Sequence, residues 1–124
     1  MNSKIRLIAL LVIVAVITCE GISRADLTVG KFLSNSNDKQ SIEYQLMTLY
    51  INGIGDGFMA VNAQLSNAGK KGVYCMPGNL NLDSINYIQL IEDYFKKHPN
   101  RRDSIHTPVS FIFLEALIET FPCP

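Results

Sequence analysis

Two cysteines bracket the second half of the chain, and that bracket limits its folds more than any other feature. Cys75 stands in Tyr74-Cys75-Met76-Pro77-Gly78, and Cys123 in Phe121-Pro122-Cys123-Pro124. Between them lie an apolar-periodic run from Leu82 to Lys97, a polar loop from His98 to Thr107 and a second apolar run from Pro108 to Thr120. If the two runs form an antiparallel helical hairpin, the start of the first lies beside the end of the second. As helices of about 16 and about 13 residues they are roughly 24 Å and roughly 20 Å long. The lengths match, so cysteines 48 positions apart are expected to meet in a disulfide. Closing about 49 residues is worth roughly 4 kcal/mol in the chain-entropy model.

A disulfide needs an oxidising compartment, and the N-terminus supplies the route to one. Lys4 and Arg6 precede an unbroken apolar run from Leu7 to Ile17, followed by a polar stretch ending Ser23-Arg24-Ala25. That is the layout of a cleavable signal peptide, with a run too short to span a bilayer. The cut is expected after Ala25, leaving residues 26–124 as a single helical domain in the periplasm. Cys19 leaves with the leader, so three cysteines become two, an even count that suits a disulfide framework. A lipidated Cys19 would need Gly, Ala or Ser before it, and Thr18 stands there instead. The leader takes three of the 11 basic residues and one of the 11 acidic ones, leaving a formal charge of −2. Nothing in that balance points to nucleic acid or, for the mature form, to a membrane surface. A domain of this size buries only roughly 65% of its unfolded surface, so a covalent staple is useful to it.

Taken in order, Asp26 to Leu33 reads as a short helical segment capped by Thr28, and Ser34 to Asp38 as a polar linker. Lys39 to Asn67 is the longest run, with Ile42, Leu46, Leu49, Tyr50, Phe58, Val61 and Leu65 at helical spacing and Ser41 or Asp38 as cap. Inside it, Gly53-Ile54-Gly55-Asp56-Gly57 places three glycines in five positions. Each costs a helix interior roughly 1 kcal/mol relative to alanine, so the helix breaks or kinks there, or something needs bare backbone. Gly53 and Gly57, four apart, share a face that a neighbouring helix or a second copy could approach closely. A phosphate loop is the weakest reading, because no strand precedes the glycines and no Lys-Ser/Thr follows them. Gly69 is placed for a left-handed helix end beside Lys70 and Lys71.

In the hairpin, Asn81 or Asp83 opens the first helix, and Leu82, Ile85, Ile88, Ile91 and Phe95 form its apolar stripe. Lys96, Lys97 and His98 crowd its last turn, and Pro99 stops it. Thr107 and Pro108 read as N-cap and first helical position of the last helix, which is apolar nearly all round. No run alternates as a strand does. The fold class is therefore all-α: a small bundle of about four helices with one disulfide stapling a C-terminal helical hairpin.

Catalytic and metal chemistry find little support. A cysteine hydrolase with Cys75 as nucleophile and His98 or His106 as base needs a free thiolate in an oxidising compartment and an orienting third group. A metal site from the two cysteines and two histidines lacks any close ligand pair. Asp56 has no second carboxylate at helical spacing. No enzyme activity, cofactor or metal is expected. The loop from Asn100 to Ile105, with Arg101, Arg102, Asp103 and Ser104, is by default a solvated turn. Its functional reading is a contact loop for a protein partner, held out by two rigid helices.

Tyr50-Ile51-Asn52-Gly53-Ile54-Gly55-Asp56-Gly57, Tyr74-Cys75-Met76-Pro77, Tyr94-Phe95 with His98-Pro99, and Ala116-Leu117 with Phe121-Pro122-Cys123 resemble, in order and spacing, the Tai/Rap immunity proteins of type VI secretion systems. The resemblance runs from about Tyr50 to Cys123, and residues 1–40 carry little of it. It implies a small helical periplasmic protein with this disulfide that binds and blocks a peptidoglycan amidase effector. It also implies a homodimer whose protruding loop enters the effector's active-site cleft. Asn100 to Ile105 is the loop that fits that role here, and the Gly69–Gly72 turn with Lys70 and Lys71 is the second choice. The family usually has another cysteine in its first short helix, where this chain has Ser34 after Phe32-Leu33. The alternative reading is an acid-stress chaperone of the HdeA kind, which binds unfolded clients and should unfold or dissociate at roughly pH 2 to 3.

Overall fold

In a computed structural model that describes residues 26–78 and 80–124, those residues form four α-helices. They are α1 (Val29–Asn35), α2 (Ile42–Asn67), α3 (Ser84–Lys97) and α4 (Val109–Thr120), with a 3-10 turn at Pro99–Asp103 between the last two. Among the described residues the only β-pairing is an isolated antiparallel bridge between Thr28 and Pro108. The expected signal peptide and Cys19 lie outside the described residues.

Local chemistry sets each boundary. The Thr28 hydroxyl accepts from the Lys31 N–H at 3.4 Å, and the Ser41 hydroxyl from the Tyr44 N–H at 3.0 Å. α2 ends at Gly69, whose φ of 66° is the left-handed turn that lets the Lys70 N–H reach the Leu65 carbonyl at 2.8 Å. Asp83 and Asn86 form a reciprocal capping pair at the start of α3. At α4 the expected cap is replaced. Thr107 makes no capping bond and the helix begins at Val109, whose N–H donates to the Leu27 carbonyl at 2.8 Å. The N-terminal segment thus satisfies a donor that the sequence assigned to a side chain.

α3 lies at the centre of the bundle, between α2 and α4. Its buried side is Tyr87, Ile88, Ile91 and Phe95. Ile85, expected on that stripe, is 66% exposed, because the stripe runs through Tyr87 instead and leaves Ile85 beside Leu49 in a surface groove. α4 contributes Val109, Ile112, Phe113, Ala116 and Leu117 to the core, although Phe111 and Ile118 face outward. The Tyr87 and Phe113 rings are 5.0 Å apart, and α1 enters through Phe32, 6.0 Å from Phe95.

α2 is helical throughout Ile42–Asn67, so the glycines neither break nor end it. The close approach falls on Gly55, not on Gly53 or Gly57. A Cβ at Gly55 would lie 2.3 Å from Tyr87 Cε2, whereas at Gly53 or Gly57 it would meet nothing within 4 Å. The reason is helical phase. Met47 and Ile51 are buried, Gly55 is the next residue on that line, and its glycine neighbours lie about 200° away.

Candidate functional site

The two C-terminal helices do not form the expected antiparallel hairpin: Tyr87 meets Phe113, Tyr94 meets Glu115 and His98 meets Glu119, so the contacts rise together along α3 and α4. Two regions around α4 carry the candidate contacts. In one, Cys75 and Cys123 form the disulfide, with Cα atoms 4.8 Å apart. The Cys75 N–H also donates to the Phe121 carbonyl at 2.8 Å. Asn62 of α2 fixes the approach to Cys75: its amide donates to the Tyr74 carbonyl at 2.8 Å and its oxygen accepts from the Val73 N–H at 2.9 Å. Sequence reading missed Asn62, because a lone polar residue on a long helix carries no signal of its distant partner. Lys70, Lys71, Gly72 and the disulfide line an open groove of about 580 Å³ here, which places the second-choice contact turn beside the staple.

The other is the loop, which runs back along α4 from Glu119 past Glu115 to the start of that helix, and it is not a free turn. The first two N–H groups of α1, at Val29 and Gly30, donate to the carbonyls of Thr107 at 2.9 Å and Ile105 at 3.0 Å. Helix-start donors ordinarily left to water are spent on the loop. Gly30 permits this: a Cβ there would sit 3.3 Å from both the Ile105 Cβ and its carbonyl oxygen. Residues that carry little of the motif resemblance therefore hold the loop in place.

Within the loop the side chains divide. Arg101 turns inward and donates to the Glu115 carboxylate, which also accepts from the Tyr94 hydroxyl at 2.9 Å. Asn100, Arg102, Asp103 and Ile105 are exposed, and Ser104 is half-buried. Arg101 is thus committed within the chain, and Arg102, Asp103 and Ile105 remain for a partner. Glu115, the single acidic residue between Phe111 and Ile118, was the available sign that α4 needs a cation at that point.

Beside the loop, His98 Nε2 lies 2.6 Å from Glu119 Oε2, and Lys97 Nζ lies 3.3 Å from Glu119 Oε1. The hydrogen bond from His98, and after it Lys97, holds the Glu119 carboxyl below its usual range. A carboxylate depressed by folding stabilises the fold above its ordinary pKa, and that contribution is lost as pH falls through the depressed value. Glu119→Gln should therefore lower the melting temperature at neutral pH and flatten its decline on acidification, with both proteins converging at the acid end. Melts followed by circular dichroism at stepped pH check this. Parallel acid limbs would disprove the link.

The remaining sequence candidates do not converge. The Cys75 sulfur is in the disulfide, so no Cys/His nucleophile pair is assembled. No group of three or more His, Cys, Asp or Glu residues is placed to hold a metal ion among the described residues. Asp56 is exposed and accepts only from the Asn52 amide at 3.4 Å. No helix of the described residues is long and apolar enough to cross a membrane.

Comparison with known families returns a match over residues 18–123 to the model described as Rap1a immunity proteins. No curated protein and no solved structure matches the chain.

Proposed function

The chain belongs to the Rap1a immunity protein family, and from that membership we propose that it binds and inhibits a peptidoglycan amidase effector of a type VI secretion system in the periplasm. The family assignment makes it an immunity protein against a secreted effector. The amidase, the secretion system, the compartment and a homodimeric state come from the motif resemblance and from the leader-like N-terminus. Inhibition needs no chemistry of its own, only a surface that fills the effector's cleft more favourably than substrate does.

The observation that carries this reading is the loop that runs back along α4 from His98 to Thr107. It is clamped from below by the Val29 and Gly30 N–H groups and from the side by Arg101 on Glu115. It still presents Arg102, Asp103 and Ile105 to solvent. A preformed loop loses little freedom on binding, which favours affinity. Arg102 and Asp103 can pair with polar groups at a cleft mouth, and Ile105, 50% exposed, offers an apolar contact. Family membership favours this reading over the acid-stress chaperone.

The test replaces Arg102, Asp103 and Ile105 by alanine together and measures inhibition of a small Cys/His amidase acting on peptidoglycan. Inhibition should weaken by about 100-fold or more, as expected when a central contact cluster is lost, with an unchanged melting temperature. Arg101 is left intact, because its removal would also disturb Glu115. Full inhibition by the triple variant would exclude the loop and turn attention to Lys70 and Lys71.

A further inference from the structure

The outermost line of α2, opposite buried Ile51, is made of exposed apolar and small residues. Ile42, Leu46 and Leu49 stand on it with 70%, 61% and 70% of their surface exposed. Gly53, Gly57 and Ala60 continue it, with open space above both glycines. Scattered surface leucines are ordinary, but a continuous stripe along one helix is not. The steps from Ile42 through Leu46, Leu49, Gly53, Gly57 and Ala60 to Gln64 are 4, 3, 4, 4, 3 and 4, the same read from either end. The large side chains occupy one half of this palindrome and the small ones the other.

We propose that α2 carries a two-fold seam for a second copy of this chain, with the two α2 helices antiparallel and crossing at Gly53. This rests on the dimeric reading above and locates it. Antiparallel pairing about Gly53 sets Leu49 against the partner copy's glycine at position 57 and Leu46 against its alanine at position 60, so these two large side chains each meet a vacancy, while Ile42 lies against its glutamine at position 64. The pairing is isologous, as a closed dimer requires. The bare backbones at the centre allow the close approach that small residues permit. Helix dipoles oppose favourably in the antiparallel pair. α2 is about 39 Å long, so overlap along its length is on the scale of a biological interface of about 1,000 Å².

Sedimentation equilibrium on the full mature chain tests this with variants that cannot fail through misfolding. Gly53→Glu introduces a better helix former into open space, yet puts two like charges at the crossing. It should weaken dimerisation by about 100-fold or more while the melting temperature of the dissociated chain stays level or rises. Under mild oxidation Gly53→Cys should link to its own copy, and Ile42→Cys, set opposite position 64, should not. A wild-type monomer at about 100 µM, or a dimer indifferent to Gly53→Glu, overturns the seam. Amidase inhibition by a wild-type monomer would overturn the seam and leave the immunity reading standing. A dimer broken by Gly53→Glu that inhibits no amidase would do the reverse. A wild-type monomer whose effector binding is lost on Leu49→Glu would assign the stripe to the effector and overturn the seam.

Discussion

Replacing Cys75 and Cys123 together by alanine is expected to destabilise the mature chain by roughly 4 kcal/mol, the largest single effect foreseen here. The bond closes a loop that contains α3, the contact loop and most of the core. Its loss releases the unfolded chain far more than it perturbs the folded one. In the folded state the same end keeps other ties: the Cys75 N–H to Phe121, and Asn62 to Val73 and Tyr74. The native geometry should therefore survive wherever the chain stays folded. For a domain near 100 residues this corresponds to a fall in melting temperature of roughly 15 to 30 °C. Melts of the oxidised, reduced and doubly substituted proteins measure it directly. Inhibition at low temperature should fall only in proportion to the unfolded fraction, because the contact loop is held by the Val29 and Gly30 N–H groups and by Glu115 rather than by the disulfide. A variant that melts with the wild type would show that the staple constrains nothing, and one that stays folded without inhibiting would show that the bond shapes the loop.

The helical class and the staple were legible because each rests on spacing along one stretch of chain. The direction in which the two apolar runs pair was not: matched lengths suggested an antiparallel hairpin, but His98 meets Glu119 and Tyr87 meets Phe113, and the long loop carries the chain back to the start of α4. The missing parts are contacts between distant segments. Nothing in the order of residues says that Leu27 will supply the acceptor for Val109, or that α1 will use its first N–H groups on Ile105 and Thr107. Backbone carbonyls are chemically alike at every position, so such bonds leave no mark in sequence. Arg101 shows the complementary difficulty. A charged residue in a polar loop looks solvated until Glu115 and Tyr94, on two different helices, are seen to converge on it. The candidate contact surface narrows accordingly from six residues with Arg101 among them to a set centred on Arg102, Asp103 and Ile105.

The glycine cluster failed for a different reason, and the failure defines the second large effect. Gly53 and Gly57 share a face, which suggested close packing there, but the phase of burial is set by Met47 and Ile51 and leads to Gly55. Gly55→Leu is expected to cost about 3 kcal/mol or more, at the upper end of overpacking effects. Its Cβ alone would stand 2.3 Å from Tyr87 Cε2 and 2.7 Å from Cζ. Tyr87 is 2% exposed and packed against the tilted ring of Phe113, so the ring has nowhere to retreat. The gain of about 1 kcal/mol from replacing a helical glycine cannot offset that clash. Gly53→Ala on the same helix should show the gain without the clash, raising the stability of the dissociated chain. Tyr87→Ala separates the two effects. Alone it should cost about 3 to 5 kcal/mol through the cavity it leaves. Combined with Gly55→Leu it should cost less than the sum by about 1 to 3 kcal/mol, because the new side chain fills the space the ring vacates. Strict additivity in denaturant titrations would mean that the ring is not what Gly55 makes room for, and α2 would then need another reason to lie where it does.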